Sequence, residues 1–158
     1  DCVINIFPKE HLSLFLANIQ RALKPSGFFI SKQSLGFNCE QSLEGLFKTY
    51  YETSSHLNIS TTLNIDIICT ERDPNTAMFS HNQTFEKIKA LHEKGLVKDE
   101  HLQRFRNLNW ENSTIDLHVP TPKQWEELLK PSFKIDSIEH SGDHFAKKMP
   151  LYVLRRIS

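Results

Sequence analysis

DCVINIFPKEHLSLFLANIQRALKPSGFFISKQ, residues 1–33, decides how the chain is read. Cys2-Val3-Ile4-Asn5-Ile6-Phe7 is a short, nearly continuous apolar run, the pattern of a strand buried on both faces of a parallel sheet. Pro8-Lys9-Glu10 opens a helix, because proline is tolerated in a first turn and glutamate suits the positive end of the helix dipole. Leu12, Phe15, Leu16, Ile19 and Leu23 fall on one helical face, opposite Ser13, Asn18, Gln20, Arg21 and Lys24. Pro25-Ser26-Gly27 ends the helix, with Gly27 able to take a positive φ, and Phe28-Phe29-Ile30-Ser31 resumes as a strand. A strand, a crossover helix and a second strand predict two parallel strands joined in the right-handed sense. Ligands of such sheets bind beyond the carboxyl ends of the strands, which places Asn5 to Pro8 and Ser31 to Phe37 at the working edge.

Beyond this unit the pattern turns helical. Gln41 to Tyr51 reads as a helix with Leu43, Leu46, Phe47 and Tyr50 on one face. Ile59 to Cys69 mixes Thr and Ile and reads as a strand or an extended loop, and Arg72-Asp73-Pro74-Asn75 is a turn signal. Thr84 to Lys94 is a helix with Phe85, Ile88 and Leu91 inward, closed by Gly95, and Asp99 to Arg106 is a second, short helix. Leu108 to Leu117 is irregular and holds Trp110. The α/β pattern then returns. Thr121-Pro122 pairs an N-cap with a first-turn proline, and Trp125, Leu128 and Leu129 form a buried helical face. Phe133 to Ile138 alternates with period two, and Leu151-Tyr152-Val153-Leu154 is a last apolar strand, so that these two pair antiparallel at the edge of the sheet.

Composition bounds the function. Lys plus Arg and Asp plus Glu both number 19, and no basic block occurs, which argues against nucleic acid or an anionic membrane as the main partner. No apolar run reaches the roughly 18 residues of a membrane span, and no signal-peptide pattern opens the chain. The three cysteines, Cys2, Cys39 and Cys69, are odd in number and widely spaced, which suggests neither a zinc site nor a disulfide framework and points to a reducing, cytoplasmic setting. The His140-Ser141-Gly142-Asp143-His144 stretch reads as a solvated loop, and no metal is expected. A chain of 158 residues is long enough for one domain with a real core. A first residue that is not Met predicts a fragment or a processed product, and an apolar strand at residues 2–7 without upstream neighbours predicts a longer native chain or a homodimer.

Asp1-Cys2-Val3-Ile4, the amphipathic helix and Leu23-Lys24-Pro25-Ser26-Gly27-Phe28-Phe29-Ile30 resemble the "D-x-V … LKPGG" stretch of Rossmann-like S-adenosylmethionine-dependent methyltransferases, with Ser26 where that family usually has glycine. The stretch Phe85-Glu86-Lys87-Ile88 … Lys94-Gly95-Leu96-Val97-Lys98-Asp99-Glu100-His101-Leu102-Gln103-Arg104-Phe105, followed by Val119-Pro120-Thr121-Pro122 and Ser132-Phe133-Lys134-Ile135, is similar to the cap and closing segments of the SABATH methyltransferases. That family methylates carboxylates of small acids or ring nitrogens of xanthines. The resemblance implies the C-terminal portion of a doubly wound α/β methyltransferase sheet, with parallel strands plus an antiparallel edge strand. It also implies two parts: residues 1–35 with 119–158 as sheet and helices, and 36–118 as a mainly helical cap. The family's glycine-rich loop and ribose-binding acid have no counterpart among the motifs here.

The implied cofactor is S-adenosyl-L-methionine, lined by Asn5, Ile6 and Phe7. The implied partner is a small-molecule acid, with Pro8, His11, Gln33, Ser34, Phe79 and Trp110 as substrate residues. Each has a structural alternative. Asn5 also suits a strand terminus, His11 a solvent-facing helical position, Gln33 and Ser34 an ordinary polar loop, and Phe79 and Trp110 the core of the cap. No catalytic residue is singled out, because a carboxylate is already ionised at neutral pH and needs no general base. The rival expectation is a non-catalytic α/β module that lacks the cofactor half and acts by protein association. A different Rossmann-like enzyme, such as a reductase, fits the LKPSG turn and the antiparallel end less well.

Overall fold

The computed structural model describes residues 5–37, 41–53, 59–140, 142 and 148–157. In chain order the elements are α1 (Lys9–Ala22), β1 (Phe28–Lys32), α2 (Leu43–Thr53), α3 (Ile59–Glu71), β2 (Met78–Ser80), α4 (His81–Glu93), α5 (Asp99–Asn107), β3 (Asp116–His118), α6 (Pro122–Leu129), β4 (Phe133–Glu139) and β5 (Leu151–Arg156). The chain is mixed α/β and divides into two compact units, residues 1–37 with 117–158, and residues 38–116.

The first unit is built on a three-stranded sheet of order β1-β5-β4. β5 runs antiparallel to both neighbours, setting Phe29 against Leu154 and Ser31 against Tyr152 on one side, and Ile135 against Leu154 on the other. β1 and β4, each opposed to β5, therefore run parallel to one another. A bulge between Ile135 and Ser137 shifts the β4 register. The apolar stripe of α1 sends Leu12 and Leu16 into a core shared with Leu35, Trp125, Leu129, Phe133, Tyr152 and Leu154. Each such side chain removed from water contributes about 1.5–3 kcal/mol. The end of α1 is tied to the end of β5 by Gln20 Nε2 donating to Ile157 O at 3.1 Å and by Arg156 Nη1 donating to Leu23 O at 2.7 Å. α6 starts with a capping box: Gln124 N–H donates to Thr121 Oγ1 at 3.2 Å, and Thr121 N–H donates to Gln124 Oε1 at 2.8 Å.

Two expectations are corrected in this unit, and a third falls outside the described residues. Asn5 and Ile6 lie in a 3₁₀ turn that leads to Pro8, the N-cap of α1, and not in a buried strand. Residues 2–4 of the expected strand lie outside the described residues. The reason is visible at Ile6, which is 52% exposed, so the run is not covered on both faces. The parallel partner expected for β1 falls on those same residues, and both ladders of the three-stranded sheet are antiparallel. The reversed strand is also not at the edge of this sheet. It lies between the other two, where Tyr152 and Leu154 are buried and both of its hydrogen-bonding sides are paired.

In the second unit, the Ile- and Thr-rich stretch from Ile59 is helix α3, and not strand or extended loop. Leu63 and Ile67, one helical turn apart, are both fully buried in the unit whose helices α2 and α3 pack on one another. That burial outweighs the few tenths of a kcal/mol per residue by which β-branched residues disfavour helix. α4 begins at His81, three residues before the expected Thr84. It ends in a Schellman motif: Gly95, at φ +74°, donates to His92 O at 2.8 Å, and Leu96 N–H donates to Leu91 O at 3.0 Å. The turn signal at Asp73 is an Asx turn, its Oδ1 accepting the N–H groups of Asn75 and Thr76 at 2.7 and 2.8 Å. Those two donors hold the Asp73 carboxyl below its usual range. Among the described residues no helix is long and apolar enough to cross a membrane.

Candidate functional site

The loops at one end of the three-stranded sheet converge. Leaving β1, Gln33 N–H donates to Pro150 O at 3.2 Å, Leu35 N–H to Lys148 O at 2.9 Å, and Gly36 N–H to Pro120 O at 2.9 Å. Asn5 enters this cluster from the turn before α1. Its Nδ2 donates to Ser34 O at 3.1 Å and to His118 O at 2.6 Å. Gln33 Nε2 donates to the same Ser34 oxygen at 3.3 Å. Asn5 is 2% exposed and Gln33 1% exposed. Their carbonyl oxygens, Asn5 Oδ1 and Gln33 Oε1, are buried and meet no hydrogen-bond donor. A buried polar atom left in this state costs about 1–3 kcal/mol, which is why native proteins keep few of them.

Of the nine residues expected to line a site, this unit brings three together: Asn5, Gln33 and Ser34. Phe7 turns inward and stacks on Phe15, with ring centroids 4.4 Å apart. Ile6, Pro8 and His11 are exposed beside them. Tyr152, in the core beneath, is pushed up to about 12 by burial first and by the Glu126 charge second, so its phenol stays neutral.

Phe79 and Trp110 belong to the second unit and lie together there, in T-shaped contact at 5.7 Å. Both are buried, and Trp110 also meets Phe105 at 4.7 Å and His81 at 5.0 Å. The chain delivers Trp110 by a second Schellman motif: Asn109 adopts φ +58°, its N–H donates to Arg106 O, and Trp110 N–H donates to Phe105 O at 3.1 Å. The Trp110–Phe105 contact is the hydrophobic pair that accompanies this motif, so the arrangement is that of a packed core. Two clefts open on this unit. One of about 540 Å³ is lined by Glu71, Arg72, Asp73, Thr84, Lys87 and Asp116 among others, with Lys87 Nζ 2.6 Å from Glu71 Oε2. The other, of about 670 Å³, lies along α4 and α5, where His92 Nε2 is 2.6 Å from Asp99 Oδ1. Neither of these two clefts is lined by Phe79 or Trp110.

His118 was not singled out by the sequence, although its carbonyl accepts the shortest contact that Asn5 makes. A backbone oxygen leaves no mark on residue identity, so no signal in the sequence could have found it. Among the described residues no group of three or more His, Cys, Asp or Glu is placed to hold a metal ion. Of the cysteines, Cys2 and Cys39 lie outside the described residues, and Cys69 is buried and in no disulfide. Comparison with protein-family models, with curated proteins and with solved structures found no match.

Proposed function

We propose that this chain is the C-terminal portion of a Rossmann-like, S-adenosylmethionine-dependent methyltransferase, with residues 36–118 as a SABATH-like cap. Its substrate would be a small molecule, with a carboxylate oxygen as the methyl acceptor that the resemblance favours, in a cytoplasmic setting. The observation that carries this reading is the sheet order β1-β5-β4, with the last strand reversed between two strands that run parallel to each other, and with Asn5, Gln33 and Ser34 gathered at the carboxyl end of β1. That is where an α/β sheet presents its ligands.

Asn5, Ile6 and Phe7 are the residues that would line the cofactor. A buried acceptor on Asn5 that meets no donor suits a bound ligand carrying N–H groups. When bound, the cofactor supplies an electrophilic methyl group on a sulfonium. The chain's part is to align and to keep water out, which accounts for a site without a His–Asp pair. Phe7 stacked on Phe15 and the core beneath give the turn before α1 a rigid floor.

A second reading, an α/β module that acts by association, is favoured by one feature. Phe28 and Ile30, on the sheet face away from α1 and α6, are 49% and 59% exposed. Calorimetric titration of S-adenosylhomocysteine separates the two. The native chain that contains these residues is expected to give a saturable one-to-one heat. No heat from that chain would sink the methyltransferase reading and leave association as the better account.

A further inference from the structure

We infer that the paired side-chain amides of Asn5 and Gln33 form a receptor for the N–H donors of a protonated amine, and that an ionised carboxylate is excluded from this position. The inference deepens the methyl-transfer reading by naming the ligand group that the cluster accepts. It rests on two observations.

The first is which atoms are left over. Both amides spend an NH₂ group on one carbonyl, Ser34 O, at 3.1 and 3.3 Å, and Asn5 also donates to His118 O at 2.6 Å. Those bonds settle the orientation of each amide, since turning either one would set its oxygen against the Ser34 oxygen. The atoms left with no partner at all are an acceptor on each residue, Asn5 Oδ1 and Gln33 Oε1, and each side chain is more than nine-tenths buried. A carboxylate brings only further acceptors to such a place and leaves both oxygens unsatisfied.

The second observation is the local sign of charge. The main-chain carbonyls of Ser34 and His118 accept the NH₂ groups of Asn5 and Gln33, and the two side-chain carbonyls, Asn5 Oδ1 and Gln33 Oε1, are left buried on the same two amides. These two unpaired oxygens each present the negative end of a dipole in a buried place, where such dipoles act more strongly than in water. A cation with several N–H donors satisfies the spare acceptors and the field together. An ammonium group has three donors and no acceptor. The acid group of any substrate then lies elsewhere than on Gln33.

A protonated amine can come from the aminoacyl end of the cofactor or from the substrate, and the test separates these sources. In the native chain, the side-chain amide resonances of Asn5 and Gln33 are followed by NMR while methylammonium chloride, sodium acetate and sodium chloride are added in separate titrations. Saturable shifts of both amides with methylammonium, and none with the two sodium salts, are expected. In Gln33→Leu, the apparent Kd for methylammonium read at Asn5 is expected to weaken about tenfold, as for the loss of one charge-assisted hydrogen bond. In Gln33→Glu, a charged carboxylate replaces the amide, so that a shift unchanged from the parent would count against the amide pair. S-adenosylhomocysteine and 5′-methylthioadenosine, which lacks the amino-acid end, form the second arm. Shifts with the first and not the second assign the amine to the cofactor. Saturation with either one, while methylammonium still shifts both amides, assigns it to the substrate. The inference is overturned if methylammonium moves neither amide, if acetate moves them as strongly, or if both oxygens prove to be occupied by a water that methylammonium does not displace. Failure of S-adenosylhomocysteine to bind, with the methylammonium shifts intact, would remove the methyltransferase reading and leave the amine site standing.

Discussion

Asn5 and His118 are 113 residues apart in the sequence and are joined by a 2.6 Å hydrogen bond from the Asn5 amide to the His118 carbonyl. This bond and its companion to Ser34 fix the turn before α1 against the loop that leaves β1. Replacing Asn5 by Leu keeps the volume but removes two hydrogen bonds, the one to His118 O and one of the two that reach Ser34 O. The expected cost is about 1–3 kcal/mol, at about 0.5–1.5 kcal/mol for each of the two hydrogen bonds lost. Asn5→Asp is expected to cost more at neutral pH, since it turns a negative charge toward the same carbonyls. Urea denaturation of both variants at neutral pH measures the two costs, and a loss below 1 kcal/mol for both would show that the turn does not depend on these bonds.

Trp110 is the test of what the aromatic cluster does. Its ring is buried against Phe105, Phe79 and His81, so Trp110→Ala is expected to destabilise the second unit by about 3–5 kcal/mol through the cavity it leaves. A residue that serves mainly to line a substrate pocket would show a small change in stability and a large change in substrate binding. Chemical denaturation followed by near-ultraviolet circular dichroism discriminates between the two outcomes.

Gly95 closes α4 at φ +74°, and a Cβ added there meets nothing within 4 Å. The cost of Gly95→Ala is therefore conformational alone, about 1–2 kcal/mol for placing an L-residue in the left-handed region. Gly95→Asn is expected to cost less, because asparagine tolerates that region, as Asn109 does at φ +58°. The midpoints of urea denaturation of the two variants should fall in that order.

His101 links α5 to α2. Tyr51 Oη accepts from Lys98 N–H at 3.0 Å and stands 3.1 Å from His101 Nδ1, which leaves the phenol proton for the imidazole. Burial lowers the His101 pKa first; the Lys98 and Arg104 charges act in the same direction, and Glu100 opposes them. A histidine whose folded pKa is lowered adds stability that is fully present above its unfolded value near 6.5. That stability is lost as pH falls through the folded value, because the unfolded chain takes up the proton first. Melting temperature is expected to fall as pH drops below about 6.5, and His101→Asn is expected to flatten that dependence. An unchanged slope in the variant would place the acid sensitivity elsewhere.

The parts of this fold that depend on neighbours in sequence were legible from it. Leu12, Phe15, Leu16 and Ile19 announce α1 by spacing, Thr121 and Pro122 announce the start of α6, and Gly95 announces the end of α4. Each works within one or two turns of chain, where the physics is a cap, a fixed φ or an apolar stripe. α3 is not legible in the sequence for the complementary reason. Its Ile and Thr residues carry an intrinsic preference for strand, and only the burial of Leu63 and Ile67 in the folded unit reverses it.

The candidate site divides in the same way. By itself, the sequence determined that Asn5 stands just before a proline-started helix and that Gln33 and Ser34 follow β1, because first-turn proline and the LKPSG turn act locally, whereas it reads Asn5 as strand and not as the turn it occupies. Only the tertiary structure decided that β5 would lie between β1 and β4, that the amides of Asn5 and Gln33 would converge on Ser34, and that two acceptor oxygens would be left buried and unpaired. Strand order and carbonyl contacts are set by which distant segments bury one another's apolar faces, and no residue spacing encodes that choice directly.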